Sequence, residues 1–238
     1  MSGHSKWASI KNKKASADSK RSNLFTKLSK NITMAARNGG DPAMNFSLRL
    51  AIDKAKASSM PKDNIEKSVK RGTGELEGGA LEEVMYEAYG PSGFPLLIEG
   101  ITDNKNRTTP EVKAILTKNG GSLGAQNSVQ WMFEHKGVIH LGTDQIGDKD
   151  DMTLELIDMG ADDVQEDDGG LTLYCEFKEF EKIKKSLDDK KIEPEYAEVE
   201  WVAKDKQEVS EVIQEKVDRI VDLLEDHDDV NDVYSNLK

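Results

Sequence analysis

The sequence predicts an α plus α+β protein, in which an N-terminal helical bundle is followed by two ferredoxin-like α/β sandwich domains, the third domain being inserted into the second. Three observations lead to this fold class. The first 71 residues are basic and show helical apolar periodicity, whereas the remainder is acidic and alternates strand and helix patterns. Residues 138–204 follow the order strand–helix–strand–strand–helix–strand, which is typical of a ferredoxin-like unit. A helix and a strand pattern then return after that unit.

Charge is distributed unevenly along the 238 residues, whose net charge is −12. Residues 1–71 contain 16 Lys and Arg against 5 Asp and Glu, a net charge of +11. Residues 72–238 contain 17 Lys and Arg against 40 Asp and Glu, a net charge of −23. A basic bias this strong favours contact with nucleic-acid phosphates over a merely solvated helical face, and the acidic remainder repels phosphate. We therefore expect nucleic-acid contact to be confined to the basic end.

The first element is a basic arm that leads into an amphipathic helix. Residues 1–15 lack apolar periodicity and carry Lys6, Trp7, Lys11, Lys13 and Lys14. Trp7 either stacks on a base or packs under the arm, and packing is favoured. From about residue 16 to 38 the spacing predicts a helix with an apolar arc and an opposite basic face. The basic face comprises Lys20, Lys27, Lys30 and Arg37. Arg21 falls inside the apolar arc, where it is either paired or reaches past the core.

Two further helices complete the basic domain. The segment Gly39–Pro42 ends the first helix, and a second is expected from about 43 to 58. Pro61 opens a third helix, for which Gly72 is the expected residue just past the end. The glycine-rich stretch 72–79 predicts a linker, so the basic helical domain with its arm spans residues 1–77.

The acidic remainder begins with strands expected at 83–89, 94–102 and 128–134. A helix is expected at about 109–119, because Thr108 and Glu111 fit a capping box. The unit at 138–204 interrupts this pattern, and a helix at 208–227 and a strand at 230–235 follow it. We therefore predict a discontinuous α/β domain of residues 78–137 plus 205–238, with an inserted domain at 138–204.

No catalytic constellation is visible, so the protein is not expected to be an enzyme. His140 and Cys175 lie in strand patterns, and His135 in an expected hairpin turn, where structural roles are favoured. The acidic clusters lack the spacing of a calcium loop, so no metal site and no cofactor are predicted. No apolar run approaches the roughly 20 residues of a membrane helix, and a single cysteine fits a reducing cytosol.

One loop of the acidic body carries groups suited to nucleic acid. Residues 102–108 place Asn104, Asn106 and Arg107 beside an expected helix N-terminus, whose amides favour anions. The alternative is a plain capping loop. The candidate nucleic-acid-binding residues are Lys6, Trp7, Lys11, Lys13, Lys14, Lys20, Arg21, Lys27, Lys30, Asn104, Asn106 and Arg107.

Five sequence blocks resemble the YebC/PmpR family. They are Gly3–Trp7 with the lysines after it, Met60–Ile65 with Lys70–Gly74, Tyr86–Pro91, Thr102–Thr108 and Gly120–Gly124. Ala88 departs from the family pattern, where glycine is usual, and a strand accepts alanine there. The resemblance covers nearly the whole chain. It implies a helical domain followed by two ferredoxin-like domains that exchange C-terminal strands.

The resemblance also implies two functions. Members of the family are named transcriptional regulators that bind DNA, and they are also described as ribosome-associated factors that relieve stalling at proline-rich stretches. The implied partners are therefore DNA or ribosomal RNA, with the ribosome as a further candidate, and the implied location is the cytoplasm. No helix shows a row of side chains suited to reading base edges, so contact with the phosphate backbone is expected. We place transcription narrowly ahead of translation, leave the oligomeric state open and favour a monomer.

Overall fold

The computed structural model describes residues 18–167 and 169–237, with side chains from residue 21 onward. This part of the chain forms seven α-helices and two four-stranded sheets, all of whose strand pairs are antiparallel. It divides into two compact units. One contains residues 18–130 and Val209–Ser235, and the other contains Trp131–Glu208 and residues 236–237. No helix in these ranges is long and apolar enough to cross a membrane.

Three helices open the first unit: α1 at Asp18–Ala36, α2 at Phe46–Ala57 and α3 at Lys62–Gly72. Helix α2 begins later than expected because the Asn45 side chain accepts a hydrogen bond from the Leu48 amide and caps it. Apolar side chains at helical spacing form the core between the three helices. The buried members are Leu28, Ile32, Ala36, Leu48, Ile52, Ala55, Met60 and Ile65.

Gly72 is the last residue of α3, rather than the residue just past its end. A Cβ atom at this position would lie 2.4 Å from the Thr33 carbonyl oxygen and 2.5 Å from the Ala36 Cβ. The glycine is therefore required by the close approach of α3 to α1.

The first sheet contains β1 at Glu82–Tyr89, β2 at Pro95–Thr102, β3 at Ser122–Leu123 and β8 at Val230–Ser235. The strand order is β3-β1-β2-β8, so the last strand of the chain pairs with β2. Helices α4 at Lys105–Lys118 and α7 at Glu211–Glu225 belong to the same unit. Gly100 lies at a register shift where the Asp229 carbonyl oxygen would be 2.1 Å from a Cβ atom. Only glycine lets the turn before β8 approach β2 so closely.

The expected strand at 128–134 is absent. Residues Gln130–Met132 form a short 3₁₀ turn, and a longer strand begins at Phe133. The buried Glu87 carboxylate accepts hydrogen bonds from the Asn127, Val129 and Gln130 amides at 2.5, 2.6 and 2.8 Å. Burial raises the pKa of Glu87, but these amides outweigh it and leave the pKa below its usual value. The segment's amides therefore bond to a side chain instead of a neighbouring strand.

The second unit contains β4 at Phe133–Gly142, β5 at Asp163–Asp167, β6 at Gly170–Glu176 and β7 at Tyr196–Ala203, with α5 at Lys149–Met159 and α6 at Phe177–Asp189. Its strand order is β5-β6-β4-β7, and the chain follows the βαββαβ order expected for this region. His135 lies inside β4, opposite Trp201 of β7, and not in a hairpin turn. Its ring stacks on Phe177 with centroids 5.7 Å apart. The boundaries of three domains, and the insertion of one into another, stay predictions.

Candidate nucleic-acid interface

The predicted arm residues Lys6, Trp7, Lys11, Lys13 and Lys14 lie outside the described residues. Lys20 lies in α1, and its side chain is also outside the described part. The Arg21 side chain is exposed, and its guanidinium lies 5.5 Å from the centre of the Phe25 ring. The guanidinium of Arg21 thus lies over an aromatic face of its own helix, and its role toward nucleic acid stays a prediction.

Lys27 and Lys30 lie on the predicted basic face of α1, but both side chains are only partly exposed, and both have acceptors within the protein. The Lys27 ammonium donates to the Glu225 carbonyl oxygen. The Lys30 ammonium donates to the Asp228 carbonyl oxygen at 2.9 Å and to the Asp229 carboxylate at 2.5 Å. A helix C-terminus leaves carbonyl oxygens without helical partners and carries partial negative charge, so cations are favourable there. The C-terminal end of α7 thus attracts the two lysines of α1.

Asp229 is the centre of this contact, and its side chain is only 2% exposed. The carboxylate also accepts hydrogen bonds from Arg107 at 2.6 Å, Thr108 at 2.7 Å and Thr102 at 3.2 Å. Burial alone raises the pKa of Asp229, but the bonds from Lys30, Thr108 and Arg107 outweigh it and hold the pKa well below its usual range. The carboxylate is therefore ionised and joins β8 to α1 and α4.

The loop predicted at 102–108 is largely the first turn of α4. Asn104 caps the helix by accepting from the Arg107 amide at 3.2 Å, and the helix begins at Lys105 instead of 109. The capping box at Thr108 is not formed, because the Thr108 hydroxyl bonds to Asp229. Arg107 bridges Asp229 and Asp103, and Asn106 is exposed. The plain capping role therefore applies to Asn104, and Arg107 has an internal anion as its partner.

The turn between α7 and β8 is fixed by His227. Its Nδ1 atom accepts a hydrogen bond from the Asp229 amide at 3.0 Å, and its Nε2 atom lies 3.0 Å from the Glu111 carboxylate. Beside the turn lies an open groove of about 870 Å³, lined among others by Asn23, Lys30, Arg107 and Lys118. Sequence reasoning missed Asp229 and His227 as site residues, since their partners lie more than 100 positions away.

Other exposed cations of the basic domain lie where α1 and α3 end. Gly72 approaches Ala36 closely, so the C-terminal ends of α1 and α3, with Arg37 and Arg71 beside them, are neighbours. Arg37, Lys70 and Arg71 are all exposed. The overall charge bias indicated such a patch, although no motif identifies its members.

The groups considered for catalysis are placed in the interior of the second unit. The Cys175 side chain is buried, and burial raises the pKa of its thiol to about 12. His140 is buried with its Nδ1 atom 2.9 Å from the Thr172 hydroxyl. Within the described ranges, no three or more His, Cys, Asp or Glu side chains gather as a metal site would require. Neither group has the exposure that a nucleophile or a general base needs.

Comparison with known proteins gives the same family over both parts of the chain. The family model for the TACO1/YebC protein N-terminal domain matches residues 5–75, and the model for the TACO1/YebC second and third domain matches residues 81–237. A crystal structure of a conserved hypothetical protein from Aquifex aeolicus superposes with a TM-score of 0.87 at 38% identity, covering 98% of this chain and 97% of that one.

Relatives of similar length are named probable transcriptional regulatory proteins. One from Halothermothrix orenii is 48% identical over 99% of this chain and 94% of its own length. Another from Chlorobium phaeobacteroides is 48% identical over 100% of this chain and 96% of its own length. Both family models and these full-length identities agree with the sequence blocks described above. The chain belongs to the TACO1/YebC family.

Proposed function

We propose that this protein is a DNA-binding transcriptional regulator that contacts the phosphate backbone through its basic N-terminal domain. The observation that carries the proposal is the division of charge, with +11 on residues 1–71 and −23 on residues 72–238. Such a division directs a polyanion to one end of the molecule. The names of the full-length relatives support a regulatory role.

The described residues support backbone contact of limited sequence dependence. Arg37, Lys70 and Arg71 are exposed cations on neighbouring helix ends, which suits them to phosphate oxygens. The partly buried Lys27 and Lys30 already have internal acceptors. We therefore assign the main contact with phosphate to the arm and to the exposed Arg37, Lys70 and Arg71. Any preference for particular sequences would then come from deformation of the duplex or from accessory contacts.

The experiment replaces Lys11, Lys13 and Lys14 together with Gln and measures affinity for several duplexes and a structured RNA at three salt concentrations. Each phosphate contact contributes about 0.9 to the slope of log K against log salt on duplex DNA. If all three lysines contact phosphate, the slope should flatten by roughly two to three units, nearly equally for every duplex.

The matched control replaces the exposed Lys178, Lys182 and Lys185 of α6 with Gln, which removes the same charge from the second unit. The control should leave the slope close to that of the unmodified protein. An unchanged slope for the arm variant on every ligand would contradict the proposal. A flattened slope on RNA alone would replace DNA by RNA as the ligand.

A further inference from the structure

The donors around Asp229 have the composition of a phosphate-binding site. Two cations and two hydroxyls converge on one carboxylate from segments more than 100 positions away in the sequence: Lys30 of α1, Arg107 and Thr108 of α4, and Thr102 of β2. Guanidinium, ammonium and hydroxyl groups are also the side chains that bind phosphate oxygens in nucleic-acid complexes. An internal carboxylate here occupies a position that an external anion would fit.

The cations of this site are more exposed than the anion, because Arg107 is exposed and Lys30 partly exposed, whereas Asp229 is buried. The Asp229 side chain is 2% exposed, but the Arg107 side chain is 46% and that of Lys30 is 15% exposed. Both cations line the open groove together with Lys118, and the groove also carries the carboxylates of Asp103, Glu111, Asp226 and Asp228. An incoming phosphate can therefore reach Arg107 and the exposed part of Lys30 only against these carboxylates, while Asp229 holds the two cations from the protein side.

We propose that Lys30, Arg107, Thr102 and Thr108 form a latent binding site for a nucleic-acid phosphate, which the chain's own Asp229 occupies. This inference rests on the proposed function, because the ligand is the same nucleic acid. The turn at Asp226–Asp229 then competes with nucleic acid for Lys30 of α1 and Arg107 of α4. Release of the carboxylate adds two phosphate contacts to those of the arm.

The test is the variant Asp229→Asn, which keeps the shape of the side chain and one oxygen for the threonine hydroxyls. Binding of a short labelled duplex of mixed sequence is titrated at three salt concentrations. Lys30 then loses its carboxylate partner and Arg107 keeps only the exposed Asp103 and Glu111, so the slope of log K against log salt should steepen by up to about two units. The matched control Glu215→Gln removes one exposed negative charge from α7 of the same unit and should leave the slope close to that of the unmodified protein.

Further variants separate a latent site from a structural ion pair. Adding Lys30→Gln and Arg107→Gln to Asp229→Asn should abolish the gain in slope, because no cation is left to release. If Asp229→Asn has lost its cooperative thermal transition, the exposed pair Asp226→Asn and Asp228→Asn serves instead. Its affinity should rise above that of a control that also loses two exposed charges, Glu211→Gln with Glu215→Gln. A folded Asp229→Asn protein with the control's slope overturns the inference, as does an exposed pair with the control's affinity.

The two proposals fail in different ways. An unmodified protein that binds no duplex removes the proposed function itself. Normal salt-dependent binding by the unmodified protein, with no difference between Asp229→Asn and Glu215→Gln, removes only the latent site.

Discussion

At the residue scale, one carboxylate accounts for much of the local order in the first unit. Asp229 accepts from Lys30, Arg107, Thr108 and Thr102, and its backbone carbonyl accepts from the Ile101 amide at 2.9 Å. A buried charge is tolerated only when paired and hydrogen-bonded, and here every described donor comes from another element. Removal of the charge leaves two cations and two hydroxyls without their shared acceptor.

The lowered pKa of Asp229 predicts how its contribution depends on pH. A carboxyl whose pKa is lower in the folded than in the unfolded state stabilises the fold above the unfolded value, about 3.9, and this contribution is lost as pH falls further. Asp229→Asn should therefore lower the free energy of unfolding by about 3 kcal/mol at neutral pH. The difference between variant and unmodified protein should shrink below about pH 4.

Urea unfolding of Asp229→Asn and of the unmodified protein at several pH values measures the difference between their free energies of unfolding. Other titrating groups contribute equally to both proteins and cancel in this difference. A difference that stays constant down to pH 3 would show that Asp229 acts through its shape and not through its charge.

At the element scale, apolar spacing and glycine positions predicted most helices and strands correctly, and two of the larger errors lie where a distant side chain replaces a local partner. The start of α4 was placed at Thr108 instead of Asn104, since both residues are good caps and only Asp229, 121 positions away, distinguishes them. The apolar segment at 128–134 resembles a strand, but Glu87, about 40 positions away, binds its amides. The basic face of α1 was predicted, whereas its contact with the end of α7 depends on tertiary structure that periodicity does not encode.

The contact between α1 and α3 predicts a large effect of one methyl group. Gly72→Ala would place a Cβ atom 2.4 Å from the Thr33 carbonyl oxygen, so the helices must separate. We expect a loss of about 1–3 kcal/mol in the free energy of unfolding, typical of overpacking. The control Gly147→Ala has no atom within 4 Å of the added Cβ and should change stability little. Equal thermal transitions for the two variants would contradict a close-packed contact at Gly72.

At the scale of the whole molecule, the order of strands has a consequence for the chain's connectivity. The first sheet takes β1, β2 and β3 from before residue 130 and β8 from the C-terminal part, while the second sheet is formed by β4–β7 between them. The chain enters and leaves the second sheet at neighbouring points. Phe133 is paired with Ala203, and the Lys204 amide donates to the Met132 carbonyl oxygen at 3.0 Å.

This connectivity predicts that the second sheet can be removed without breaking the first. Replacing residues 133–203 by a short Gly-Ser linker joins two positions that are already hydrogen-bonded, so closing the new loop costs little entropy. The shortened protein should keep its three N-terminal helices and the pairing of β8 with β2, and it should melt cooperatively.

The fragment 78–137, by contrast, lacks β8 and α7, leaves the β2 edge unpaired from Leu96 to Gly100, and should not fold. Circular dichroism and amide dispersion by NMR measure both. A folded 78–137 fragment would contradict the discontinuous domain, because it would not need β8 and α7. A shortened protein without a cooperative transition would contradict an inserted domain and require the two sheets to fold as one unit.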